Sequence, residues 1–149
     1  MKFNIVKGDI FDYIGVADCI CVTTNGVVKR NGELVMGAGV AKAFADKFTN
    51  ISFVLGYKVK KYGNHVFQAG YYHNKTAVLS FPTKHHYSAK ADLDLIIQSA
   101  NRLVKWANQN NAKSIIIPSP GTGLGGLDKT VVYEALSNIL DERFTIITK

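Results

Sequence analysis

Cysteine is scarce in this chain, and so are proline, methionine and tryptophan: 2, 3, 2 and 1 in 149 residues. Two thiols cannot build a disulfide framework. Cys19 and Cys21 stand two apart in an apolar run. They are expected on opposite faces of a strand, out of reach of each other, as buried and inert thiols. Zinc needs about four ligands at suitable spacing, and these two with distant histidines do not supply them, so no metal or other cofactor is expected. Long apolar runs are missing too. Nothing approaches the roughly 20 residues that cross a bilayer. Met1-Lys2 leads into a short apolar stretch rather than a secretory leader, so a cytoplasmic protein without membrane attachment is expected. Absent as well are Gly-x-Ser-x-Gly, His-Glu-x-x-His and the Walker A lysine, which disfavours hydrolases and kinases of those types.

Acid is the minority charge. Eighteen Lys and Arg stand against 11 Asp and Glu, for a net charge of +7. That balance favours anionic partners such as nucleotides, phosphorylated metabolites or nucleic acid. The basic residues are scattered in the sequence: Lys29-Arg30, Lys58, Lys60-Lys61, Lys84, Lys90. No arginine-rich tail and no alternation of aromatic and basic residues marks a nucleic-acid module. A hydrophobic fraction of 47% and this length suit one domain, residues 1–149, acting as a monomer.

Strands are expected at 3–6, 18–24, 66–72, 76–81, 114–117 and 144–148. Helices are expected at 37–48, 51–62, 91–108 and 129–140. The run 18–24 is apolar without alternation, as in a parallel sheet covered on both faces. The stretch 91–108 carries Leu93, Ile96, Ile97, Ala100, Leu103, Val104 and Ala107 at three- and four-residue spacing, one apolar stripe. Strands separated by helices argue for an α/β/α sandwich of three layers on a mixed, mostly parallel sheet.

Two glycine-bearing segments lie between such strands and helices. One is Asn25-Gly26 followed by Met36-Gly37-Ala38-Gly39-Val40-Ala41. The other is Ser119-Pro120-Gly121-Thr122-Gly123-Leu124-Gly125-Gly126. Glycine lets backbone N–H groups close on an anion at a helix N-terminus, so two such loops could clamp a diphosphate. The second matches Gly-x-Gly-x-x-Gly, but only one strand follows it, and the acid that a dinucleotide site expects after that strand is missing. Asp9 could accept from an exocyclic amine, although a turn or helix cap fits it better on pattern alone. Asn25 could reach a ribose hydroxyl or simply form a turn. Lys84, in Phe81-Pro82-Thr83-Lys84-His85-His86, is either a nucleophile in a dry cleft, a phosphate counterion or a surface lysine. His85 and His86 are candidate bases by residue type alone.

With Val6-Lys7-Gly8-Asp9-Ile10 near the start, these segments resemble those of the macrodomains, an ADP-ribose-binding family, in the same order and over nearly the whole chain. The resemblance implies that Asp9 reads the adenine amine beside Ile10. It implies that Met36, Gly37, Ala38, Gly39 and Val40, with Ser119, Gly121, Thr122, Gly123, Leu124 and Gly125, hold the diphosphate and distal ribose near Asn25. The Met-Gly-Ala-Gly-Val-Ala and Phe-Pro-Thr-Lys segments are most similar to the branch of the terminal ADP-ribose-protein glycohydrolase and the antitoxin that removes ADP-ribose from DNA. There a lysine at the place of Lys84 is the proposed catalytic residue, attacking the anomeric carbon of the distal ribose. The aspartate that the protein glycohydrolase carries in its late loop is replaced by Gly125, and Asp128 is expected to cap the next helix. The resemblance therefore implies hydrolysis of an ADP-ribosyl linkage on DNA or protein. The alternatives are a phosphatase for ADP-ribose 1''-phosphate, a non-catalytic ADP-ribose reader, and a binder of NAD or RNA.

Overall fold

The structure is a computed structural model that describes residues 1–149. The chain runs β1 (Asn4–Lys7), a 3-10 turn (Ile10–Tyr13), β2 (Cys19–Thr24), α1 (Gly39–Lys47), α2 (Ile51–Tyr62), β3 (Gln68–Tyr72), β4 (Thr76–Pro82), α3 (Leu93–Asn110), β5 (Ile115–Pro118), α4 (Lys129–Ser137) and β6 (Phe144–Thr148). The strands form one sheet in the order β1-β6-β5-β2-β4-β3. Every pairing is parallel except β3 with β4. Those two strands are joined by a tight turn in which His73 and Asn74 both have positive φ, the twist that a short hairpin prefers.

Both faces of the sheet are covered. Ile115, Ile117, Leu79 and Phe81 point into a core shared with Ile96, Ala100 and Leu103 of α3 and Val132 and Leu136 of α4. Their neighbours Ile20, Val22, Val78 and Ile116 face Phe44 of α1 and Ile51, Leu55 and Val59 of α2. Apolar residues at successive positions are what a doubly covered strand requires, and the three-layer sandwich follows. Cys19 and Cys21 correct one expectation. Residues two apart in a strand share a face. Both thiols lie in the α3–α4 core with their Sγ atoms 3.9 Å apart.

Helix boundaries follow capping chemistry. Asp92 caps α3, its Oδ1 accepting from the N–H groups of Asp94 and Leu95, so the helix begins two residues later than its periodicity suggests. Asp128 caps α4 by accepting from Thr130 N–H. Gly63, with φ 94°, ends α2. No helix is long and apolar enough to cross a membrane.

Four carboxylates away from the core are held below their ordinary pKa, among them Glu33, which accepts from Ser52 and Asn31. Asp18 accepts from Lys113 N–H at 2.7 Å and pairs with Lys75. Asp141 is gripped by the Arg143 guanidinium, and Asp92 by His85 and the start of α3. A folded-state pKa below the unfolded value of about 3.9 adds stability that is complete above that value and is lost as pH falls through the folded one. The urea midpoint is therefore expected to hold from about pH 7 to pH 5 and to decline below about pH 4. Joint Asp18→Asn and Asp141→Asn substitution should make that acid limb shallower, leaving the part that Asp92 and Glu33 contribute. An unaltered limb in the double variant would contradict the assignment.

Candidate active site

Parallel strands end on the same side, and the segments leaving β1, β2, β4, β5 and β6 line one cleft there, of about 1090 Å³. This is where ligands bind in open α/β sheets. Its wall contains Asp9, Ile10, Asn25, Met36, Gly37, Ala38, Gly39, Val40, Lys84, Ser119, Gly121, Thr122, Gly123, Leu124 and Gly125. The structure thus gathers Asp9, Ile10, Asn25, Lys84 and the nominated residues of both glycine-bearing loops in one cleft, and leaves His85 and His86 outside it. It adds Phe11, Tyr87, Lys129 and Lys149, for which the sequence offered no signal beyond their closeness to the nominated segments.

The first loop is pinned at its neck by Asn25. This buried amide donates to Val35 O and accepts from Val27 N–H, both at 2.9 Å. Half of its hydrogen-bonding capacity therefore shapes the loop, leaving one N–H and one lone pair of the amide. Beyond the neck, the N–H groups of residues 36–41 reach no protein acceptor. Ala38, the N-cap of α1, offers no side-chain bond. The positive end of α1 thus opens into the cleft uncapped. A Cβ on Gly37 would meet nothing within 4 Å, so packing does not demand glycine there.

In the second loop the N–H groups of residues 121–125 are likewise free of protein acceptors, while Leu127 N–H returns to Gly121 O at 2.8 Å. Ser119 Oγ lies 2.7 Å from both Thr122 Oγ1 and Tyr133 Oη and braces the turn. Gly121 has φ +72°, and a Cβ on Gly125 would stand 2.7 Å from the Gly121 main chain. These two glycines are structural. Gly123, like Gly37, faces open space. The two loops touch: Leu124 Cδ1 comes within 3.2 Å of where a Cβ on Gly39 would lie.

Lys84 sits beside the second loop on the cleft wall. Its Nζ is 3.4 Å from Tyr87 O and 3.5 Å from Leu124 O, facing two main-chain carbonyls rather than another cation. Its backbone is fixed from both sides. Thr83 and Lys84 N–H donate to Thr24 O, and Asn64 Nδ2 donates to Lys84 O at 2.9 Å. Asn64, at the end of α2, was not legible in the sequence; its Oδ1 is buried without a partner. His85 and His86 do not line the cleft. His85 pairs with Asp92 at 2.9 Å, and His86 Nδ1 accepts from Ser88 N–H. Asp9 combines two readings. Its Oδ1 caps the 3-10 turn by accepting from Phe11 N–H, while the exposed residue still lies on the cleft wall.

The fold and the cleft define a three-layer α/β/α domain in which two amide-lined loops face each other beyond a parallel sheet. The chain belongs to the Macro domain family, whose family model matches residues 27–136. It is 29% identical over 129 residues to a Mycobacterium tuberculosis protein named DNA ADP-ribosyl glycohydrolase, a match covering 82% of this chain and 36% of that protein. The chain therefore spans about a third of that relative's length. Among solved structures it is similar to the macrodomain of Mycobacterium tuberculosis DarG, with a TM-score of 0.80 and 24% identity over 99% of this chain and 97% of that one. Thermosipho africanus DarTG in complex with ADP-ribose gives a TM-score of 0.78 and 24% identity over 97% and 41% of the two chains.

Proposed function

We propose that residues 1–149 act as one domain that binds ADP-ribose and hydrolyses an ADP-ribosyl linkage on a macromolecule. One observation carries this reading: two runs of N–H groups without protein acceptors, at 36–41 and 121–125, belong to loops that touch through Leu124 and Gly39. Such an arrangement suits a pyrophosphate, whose oxygens accept from both runs at the positive end of α1. The remaining parts of ADP-ribose then have matching neighbours. Asp9 offers a carboxylate oxygen to the adenine amine beside Ile10 and Phe11. The distal ribose falls between the second loop and Lys84. The name of the 29% identical relative supports DNA as the acceptor.

Calorimetry with ADP-ribose tests the reading. The protein is expected to bind with a Kd on the order of 1 μM, about −8 kcal/mol. Gly37→Glu should weaken binding at least about ten-fold, because its carboxylate lies against the anionic diphosphate and competes for the same N–H groups. Its Cβ has room, so the melting temperature should stay level. No heat with ADP-ribose, or an unchanged affinity in Gly37→Glu, would overturn the placement. Release of phosphate from ADP-ribose 1''-phosphate, without release of ADP-ribose from modified DNA or protein, would favour the phosphatase alternative.

A further inference from the structure

The basic residues that look scattered in the sequence are not scattered in space. Helix α2 carries Lys58, Lys60 and Lys61 and no acidic residue. The turn bearing Lys29 and Arg30 lies along the same helix. Leu34 N–H donates to Ser52 O at 2.8 Å, Ser52 Oγ donates to Glu33 at 2.7 Å, and a Cβ on Gly56 would stand 2.0 Å from Gly32 O. Lys60 is one helical turn beyond Gly56, so the two groups of cations adjoin. Glu33, the one carboxylate in this turn, is already bonded to Ser52 and Asn31.

Aromatic rings stand among these cations. Phe53, Tyr57 and Tyr62 are 46%, 61% and 56% exposed. Phe53, Tyr57 and Lys61 succeed one another at four-residue spacing and share one helix face. The Lys61 ammonium lies 5.7 Å from the Tyr57 ring centre and 5.3 Å from that of Tyr62. Large exposed rings interleaved with unpaired cations combine the two features that bind single-stranded nucleic acid without sequence preference: faces for bases to stack on and charges that follow the phosphates. The helix also ends beside the segment that carries Lys84. Asn64, two residues beyond its last turn, donates to the main-chain carbonyl of Lys84.

We propose that the solvent face of α2, with the adjoining turn at Lys29 and Arg30, is a track for single-stranded nucleic acid that leads a modified strand to the Lys84 end of the cleft. The proposal rests on the ADP-ribosyl hydrolase reading of the cleft and names its acceptor. An acidic protein would meet the same charges but lacks the successive flat bases that such a row of rings and cations matches. A rigid duplex would meet the charges with its bases stacked inside and out of reach.

Fluorescence anisotropy with an unmodified labelled oligothymidylate tests this, beside calorimetry with ADP-ribose on the same proteins. The wild type should bind the oligonucleotide, and binding should weaken as salt rises. Tyr57→Ala should weaken it about ten-fold, in line with the loss of one stacked base. Lys60→Glu with Lys61→Glu should weaken it further and reduce the salt slope by about 1.4, the value for two single-strand phosphate contacts. All of these variants should keep their ADP-ribose affinity and melting temperature. On an ADP-ribosylated oligonucleotide they should raise KM and leave kcat unchanged. The track is overturned if the wild type does not bind the oligonucleotide at low salt, if the variants bind as tightly, or if duplex or polyglutamate competes as well as the single strand. Absence of ADP-ribose binding by the wild type is a separate result, which removes the cleft reading and leaves the oligonucleotide measurement intact.

Discussion

Lys84→Ala is expected to reduce release of ADP-ribose from a modified substrate by at least about 100-fold while leaving ADP-ribose affinity within about two-fold. The rate estimate follows the usual contribution of a positioned group acting directly at the reacting centre, about 10² to 10⁴. The affinity estimate follows from geometry. The N–H groups proposed to hold the diphosphate come from other segments, and Lys84 Nζ touches only the carbonyls of Tyr87 and Leu124. In the proposed step the Lys84 ammonium passes one proton to water, and the freed nitrogen lone pair forms a bond to the anomeric carbon of the distal ribose. The bond to the acceptor breaks with its electron pair going to the acceptor, which takes up a proton from the alkylated nitrogen. Water later releases the sugar and restores the amine. Lys84→Arg separates this from simple charge stabilisation, since a guanidinium keeps its proton at any working pH. Loss of turnover in both variants supports attack by the amine. Recovery in Lys84→Arg would reassign the residue as a counterion, and full turnover in Lys84→Ala would remove it from the mechanism.

Gly56→Ala is expected to be the most damaging single-methyl change. Gly56 lies inside α2, where alanine is ordinarily preferred by about 1 kcal/mol. Here the added carbon would stand 2.0 Å from Gly32 O and 2.7 Å from Leu34 N. Both are main-chain atoms, so no rotamer change relieves the clash. The segment 32–34 must move away, breaking the Leu34-to-Ser52 bond and lifting the fully buried Leu34 side chain. Overpacking of this kind costs about 3 kcal/mol, which for a chain of this size lowers the melting temperature by about 6–12 °C. The same segment leads into residues 36–41, so ADP-ribose affinity should fall as well. A melting temperature unchanged in differential scanning calorimetry would show that the turn at Gly32 does not press on α2 as described.

Much of the scaffold was legible because its signals are local. The unbroken apolar run through Cys19, Ile20, Cys21 and Val22 marks a strand covered on both faces. The stripe from Leu93 to Ala107 marks a helix lying on a sheet. The glycine segments after β2 and β5 mark places where the chain must turn close to something. What escaped depends on the third dimension. The 3-10 turn after Asp9 is too short to show periodicity. The commitment of the Asn25 amide to Val35 and Val27 requires knowing where the loop closes. Asn64 and Lys84 are joined only because α2 ends beside the segment leaving β4. The cations at 29–30 and 58–61 become neighbours only through the contact of Gly32 with Gly56.

The sheet order has a consequence for how this protein is made. β1 pairs with β6 and with no other strand, and β6, made more than 130 residues later, lies between β1 and β5. While the polypeptide is still emerging from the ribosome, residues 4–7 have no neighbour to dock on, and the wall of the cleft formed by Gly8 and Asp9 has no fixed position. β2, β4 and β5 can pair with one another before β6 is made, whereas β1 must wait for residues 144–148. Contacts between such distant parts of a chain form slowly. A nascent molecule stalled before residue 144 thus exposes the flanks of β1 and β5 together, and the part of the cleft wall that follows β1 and β6 forms only once β6 has been made.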